Sequence, residues 1–186
     1  MFIGHFAVGF AAKRAAPRTS LGTLILAFLD GLWPVFLLLG IERARIDPGN
    51  TAFTPLAFDY YPFSHSSLMA IVWGILFALA YNARGRYSRG ALWVCICVVS
   101  HWILDFVTHR PDLPLYPGGP KVGLGLWNSR AATMTVEGAM FVAAIWLYAV
   151  TTRARITMVA IIGIVAWLFV LWAYWIDRNR EAKAAA

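Results

Sequence analysis

Apolar residues run in long blocks along this chain, and polar residues gather in short breaks between them. A crossing helix needs about 20 mostly apolar residues. Blocks of that kind predict membrane helices over about 21–40, 67–81, 91–109, 132–150 and 156–176. Residues 2–15 form a shorter apolar block, which predicts a membrane-embedded helix that does not cross fully. The chain is therefore expected to be an all-α, polytopic membrane bundle of one domain over 1–176. It has five full spans, a short N-terminal helix and a polar tail at 177–186.

The breaks carry their own signals. Pro17 with Thr19 and Ser20 reads as a turn and a helix start. Asp30-Gly31-Leu32-Trp33-Pro34 should kink or break the second helix. Pro48-Gly49-Asn50 marks a turn in the mixed loop 41–66. Residues 110–131 are rich in Pro and Gly, a composition that opposes helix and strand and predicts a surface loop.

Composition agrees: 60% of the residues are hydrophobic and only 13% charged, against about 25% charged in soluble domains. The net charge of +7 belongs with orienting loops, because no nucleic-acid motif accompanies it. Lys13, Arg14, Arg18, Arg84, Arg86, Arg89, Arg153 and Arg155 crowd three short loops that contain no acid. Short loops weigh most in the orientation rule, so this side is expected to be cytoplasmic and the other to face outward. Cys95 and Cys97 lie two apart in an apolar helix, which suits small buried residues and neither a disulfide nor a Cys-x-x-Cys site.

Ionisable side chains inside apolar helices are costly and mark functional sites by default. His101, Asp105 and His109 recur every four residues and form one stripe on a helix. Asp30 and Glu137 also lie in apolar blocks, and His5 and His65 stand near the starts of others. If 2–15 and 21–40 form a hairpin at Pro17, His5 and Asp30 each lie about 18–20 Å from the turn and face one another. By depth, all seven residues can converge in the outward half of the bundle.

A cluster of His, Asp and Glu without thiolates suits Zn²⁺, with Mn²⁺ or Fe²⁺ as other options. In this reading His5, Asp30, His65, His101 and Asp105 are metal ligands. Glu137 or His109 is a further ligand or the general base. Each residue also has a plainer role: His5 at the surface or in the core, Asp30 capping or kinking a helix, His65 in the N-cap region. Glu137 could make an interhelical hydrogen bond or face a wet cavity, His109 could lie at the interface, and His101 with Asp105 could be a buried structural pair. Ser64, Ser66 and Ser67 flank a helix start, where capping competes with anion binding. Arg110, Lys121 and Arg130 could bind an anionic headgroup, although such loop residues are more often solvated or near lipid phosphate.

An early His5, Asp30 closing the next apolar helix, His65-Ser66 opening another, and His101-x-x-x-Asp105 in a third resemble the bacterial membrane-bound metal-dependent hydrolases. That family includes inner-membrane hydrolases described as LexA-binding. The resemblance covers roughly residues 1–110. It implies an integral protein of the bacterial inner membrane that holds a divalent metal and hydrolyses an ester or phosphoester, with a lipid or other amphiphile as candidate substrate. No nucleic-acid partner is implied. His-x-x-x-Asp is also similar to the helical zinc phospholipase C and P1-type nuclease sites. The family's Pro-Asp-x-Asp is here Leu29-Asp30-Gly31-Leu32-Trp33-Pro34. The second Asp is missing, so a second metal would need Glu137 or His109.

Two other classes share these residues. Intramembrane Asp, Glu and His chains also serve proton-coupled or metal-carrying transporters. A metal could equally be a structural staple in a non-catalytic membrane protein.

Overall fold

The computed structural model describes residues 1–26, 29–152 and Gly163. Helix α1 (Ile3–Ala15) begins the fold, followed by α2 (Leu21–Leu26), a 3-10 turn at Leu29–Gly31 and α3 (Trp33–Leu38). A polar section then holds strands β1 (Arg43–Ile46) and β2 (Leu56–Tyr60) and the short helix α4 (Pro62–His65). Two long helices follow, α5 (Ser67–Gly85) and α6 (Ser88–Thr108). Short strands β3 (Leu113–Pro114) and β4 (Lys121–Val122), a 3-10 turn at Leu126–Asn128 and α7 (Arg130–Thr151) complete the described chain.

Among the described residues, α5, α6 and α7 are long and apolar enough to cross a membrane. This corrects the expectation of five full spans. The block 21–40 does not form one helix: Asp30 sits in the 3-10 turn, and Pro34 opens α3 as a new helix. Proline lacks the N–H that a helix interior would use, so it stands at a helix start. The predicted span 156–176 lies outside the described residues, apart from Gly163. The fold is mainly helical rather than purely so. Antiparallel pairs β1–β2 and β3–β4 form in segments expected to be loops.

Local chemistry sets the helix ends. Ser66 caps α5 by accepting from Met69 N at 3.3 Å, and Ser129 caps α7 by accepting from Ala132 N at 3.3 Å. These side-chain oxygens satisfy N–H groups that the first helical turn leaves open. Arg86 ends α5 with φ 44°, a left-handed cap.

α5 and α6 form a close hairpin. A Cβ on Gly74 would stand 3.1 Å from Cys95 Sγ and 3.2 Å from Val99 Cγ2, so glycine permits this approach. Cys97 is fully buried in the core with Leu24, Leu29, Val94 and Val98, as the apolar reading expects. α1 packs on α7 through Ile3, Ala7, Phe10, Phe141 and Ala144. Along α5, Leu68, Ile71, Ile75, Leu76 and Leu79 point outward, which suits contact with lipid. A third cluster of Phe58, Tyr61, Leu113 and Trp127 lies under the polar sections, at the end of the bundle where α6 stops.

Candidate metal centre

Helix α6 presents one buried stripe: Val94, Cys97, Val98, His101, Asp105 and Thr108. The three- and four-residue spacing puts the apolar members in the core and carries His101 and Asp105 on along the same face. α1 lays His5 flat on His101, with ring centroids 3.7 Å apart and planes 12° apart. α4 brings His65, its ring 5.1 Å from that of His101 at 67°, and the 3-10 turn brings Asp30.

The donor atoms meet. His101 Nε2 lies 3.2 Å from His65 Nε2, 3.2 Å from Asp105 Oδ2 and 3.6 Å from Asp30 Oδ1. His65 Nε2 lies 3.5 Å from Asp30 Oδ1 and 3.7 Å from Asp105 Oδ2. A tetrahedral ion with bonds of about 2.0–2.2 Å holds its donors about 3.3–3.6 Å apart. The five separations fall close to that edge length; the donors of Asp30, His65 and His101 make one three-donor set and those of His5, His101 and Asp105 another, so the residues present fit a transition metal at either set. The other Asp105 oxygen, Oδ1, lies 3.1 Å from His5 Nε2 and 4.0 Å from His109 Nε2. The Met1 amino group forms an ion pair with that same oxygen.

Two histidines are held from behind by carboxylates. His109 Nδ1 lies 2.9 Å from Asp112 Oδ1, and Tyr61 donates to the same oxygen at 3.1 Å. A carboxylate only accepts, so the His109 proton sits on Nδ1 and Nε2 faces the cluster with its lone pair. Burial would raise the Asp112 carboxyl, but its bonds with His109, Arg110 and Tyr61 win and hold it below the usual range. Burial lowers His109 against the pull of Asp112, favouring the neutral ring. Burial, followed by the charges of Asp112 and Asp105, pushes the Tyr61 phenol well up.

The second support is a chain. Glu42 Oε1 accepts from Phe63 N and Ser64 N, both at 2.8 Å, and Oε2 accepts from Ser64 Oγ at 2.6 Å. Ser64 Oγ, having donated its proton, accepts from His65 Nδ1 at 2.6 Å. His65 Nε2 is thereby left as a lone pair aimed at the centre. Partners of this kind fix the tautomer and ring orientation of a metal-binding histidine.

The structure thus brings His5, Asp30, His65, His101 and Asp105 together, with His109 at the edge. Glu137 sits elsewhere. Its Oε2 accepts from Phe2 N at 2.9 Å and Gly4 N at 3.2 Å, joining α7 to the first turn of α1. Ser64 and Ser66 are engaged with Glu42 and Met69, and Ser67 Oγ donates to Leu115 O at 2.8 Å. Arg110 Nε meets Asp112 Oδ2 at 3.1 Å, Lys121 reaches Asp59 O at 3.5 Å, and Arg130 donates to Ala52 O. Glu42, Tyr61 and Asp112 do not stand out as site residues in the sequence, and Ser64 does so only as a helix cap or anion contact. Asp112 had a usable signal, three residues after His109. Glu42 had none, because its partners are 21 and 22 residues away.

A cavity of about 250 Å³ adjoins the cluster. Asp30, His65, Asp105 and His109 form its polar wall, and Phe2, Trp33, Leu56, Phe58 and Trp127 much of the rest.

A family model described as YdjM inner membrane protein matches residues 61–180, a stretch that contains His65, His101, Asp105, His109 and Asp112. No curated protein and no solved structure matches the chain.

Proposed function

The chain belongs to the YdjM inner membrane protein family and is an integral inner-membrane protein, and from its buried cluster we propose that it is a metal-dependent hydrolase of esters or phosphoesters. The observation that carries this reading is the convergence of Asp30, His65 and Asp105 on His101, with donor separations of 3.2–3.7 Å. These four would hold a divalent ion, Zn²⁺ first and Mn²⁺ or Fe²⁺ otherwise, and His5 would steady Asp105 through its second oxygen. Such an ion supplies a water of lowered pKa and polarises a bound ester oxygen.

The remaining work falls to the chain. His109 lines the cavity with Nε2 inward and Nδ1–H held by Asp112, so it can take a proton from a water there. Phe2, Trp33, Phe58 and Trp127 make part of the wall apolar, which strengthens the charge–dipole interactions beside it. Glu137 holds the first turn of α1, and through it His5, rather than acting on substrate.

A second reading has an observation in its favour: four protein donors can close a tetrahedral sphere, as in structural sites. Against it, the Asp30 side chain is 54% exposed and borders the cavity, so the centre stays accessible from that side.

Metal analysis of detergent-purified protein tests the proposal. The wild type should carry about one equivalent of transition metal, with His101→Ala losing it and Asp30→Asn retaining less. Metal-bound protein should hydrolyse a chromogenic ester or phosphodiester. A metal-free wild type would end this reading, and tight metal without hydrolysis of any ester would favour the structural one.

A further inference from the structure

His5 stands near one end of α1, and a groove of a different kind opens towards the other end. We propose that this groove holds one phospholipid of net negative charge, its acyl chain lying along α1 and α7 and its phosphodiester between the guanidinium groups of Arg14 and Arg89. The proposal stands apart from the hydrolase reading and shares no residue with the metal centre.

The first ground is shape. Two cavities, of about 240 and 460 Å³, share Val8, Ala11 and Leu147 in their walls and so form one trough. On α1 it extends from Ala7 to Ala15, a length of about 12 Å at the helical rise. Alanines make much of its floor: Ala7, Ala11, Ala12 and Ala15 from α1, Ala143 and Ala144 from α7. Apart from Arg14 and Arg89, every lining residue is apolar. Side chains around an empty trough forfeit dispersion contacts on one side. In a bilayer, the molecule at hand to restore them is a lipid chain.

The second ground is charge. Arg14 lies in the last turn of α1, and Arg89 in the first turn of α6. Both line the larger cavity. Among the described residues, neither makes a hydrogen bond or an ion pair. Two other cations of the same end are engaged: Lys13 donates to Pro17 O at 2.9 Å and to Thr19 O, and Arg18 lies 4.9 Å over the Tyr87 ring. No acid lines either cavity. Two like charges at one groove repel unless an anion joins them, and a guanidinium matches phosphate oxygens in pairs. A zwitterionic headgroup would add an ammonium that finds two guanidiniums and no carboxylate. A headgroup of net negative charge brings no such conflict, and basic pockets between membrane helices take such headgroups.

The lipid also has work to do in the fold. α1 has 13 residues and is too short to cross the bilayer. Glu137 fastens its first turn. A lipid seated against α1, α6 and α7 fastens its last turns.

The test uses full-length protein, stripped of lipid in an uncharged detergent. It is titrated with dioleoylphosphatidylglycerol or dioleoylphosphatidylcholine, and thermal unfolding and native mass spectrometry are read on the same samples. Phosphatidylglycerol should raise the Tm and stay bound as a single molecule per chain, at concentrations where phosphatidylcholine does neither. The double variant Arg14→Gln/Arg89→Gln should bind phosphatidylglycerol about 10-fold more weakly or worse. Arg84→Gln, which removes a basic residue outside the groove, should bind as the wild type does. Ala143→Phe keeps both guanidiniums and fills the trough, so it should weaken binding as well. Arg14, Arg89 and Ala143 are exposed, and these variants should unfold with the wild type in detergent alone. Glycerol phosphate, a headgroup without a chain, should leave the Tm unchanged. Equal responses to the two lipids, a response to glycerol phosphate, or an equal loss in Arg84→Gln overturns the proposal. A dimer that Ala143→Phe splits would place a second copy of the chain in the groove and overturn it too.

Discussion

Asp112 shows how a single side chain can govern the centre without touching it. Its carboxylate keeps the His109 proton on Nδ1 and leaves Nε2 to face the cavity. Asp112→Asn should therefore leave bound metal near the wild-type amount and lower hydrolysis by about 10–100-fold, with partial recovery in Asp112→Glu. Kinetics and metal analysis on the same preparation check both halves. The sign of the pH effect also follows. The Asp112 carboxyl titrates below its usual range, so its contacts stabilise the fold above the unfolded value of about 3.9. That stability is lost as pH falls through the lower folded value. Thermal unfolding of wild type and Asp112→Asn should differ at neutral pH and converge in acid. Glu42 works at the same scale on His65. Glu42→Ala strands three donors, and each buried unmet donor costs about 1–3 kcal/mol. The variant should be clearly destabilised in denaturation melts.

Among the elements, α1 depends most on its neighbours. It has 13 residues, too few to cross the bilayer, yet it carries His5. Its first turn is held by a carboxylate from α7 rather than by a cap of its own, since Phe2 offers no side-chain acceptor. Glu137→Ala should speed amide exchange in the first turn of α1 and reduce hydrolysis, while Glu137→Gln, which keeps an acceptor, should lie close to wild type. Unchanged exchange in Glu137→Ala would refute this role. The α5–α6 hairpin makes the opposite point. It owes its closeness to Gly74, where a side chain would press on Cys95 and Val99. Gly74→Leu should destabilise the fold by about 1–3 kcal/mol, read as a lower Tm.

For the whole molecule, the centre joins parts of the chain that share little else. Its proposed donors come from the 3-10 turn before α3, from α4 and from α6, and His5 of α1 contacts the second oxygen of Asp105. An ion bound only by the folded state adds stability, about 2.7 kcal/mol when present at 100 times its Kd. Chelation should lower the Tm and zinc should restore it. A Tm indifferent to chelator would mean that no ion links these segments.

The period of polar residues on α6 was enough to pick out His101 and Asp105, because a helix turns every 3.6 residues whatever packs around it. The cost of ionisable groups in an apolar block likewise marked Asp30 before any partner was known. Membrane residence followed from block length and composition alone. The break at Asp30 and Pro34 was readable too, although its outcome, a 3-10 turn and a separate exposed apolar helix, was not.

What the linear order of residues could not supply was neighbourhood. Glu42 and Ser64, or Glu137 and Gly4, meet only after the chain has doubled back, and nothing local in either partner encodes that meeting. Residue type and spacing determined the helices, the bilayer and the candidate donors, because these depend on local geometry and solvation. Tertiary packing decided which donors share a centre, which carboxylates stand behind them and which acid serves α1 instead, because hydrogen bonds at 3 Å select partners that sequence distance does not.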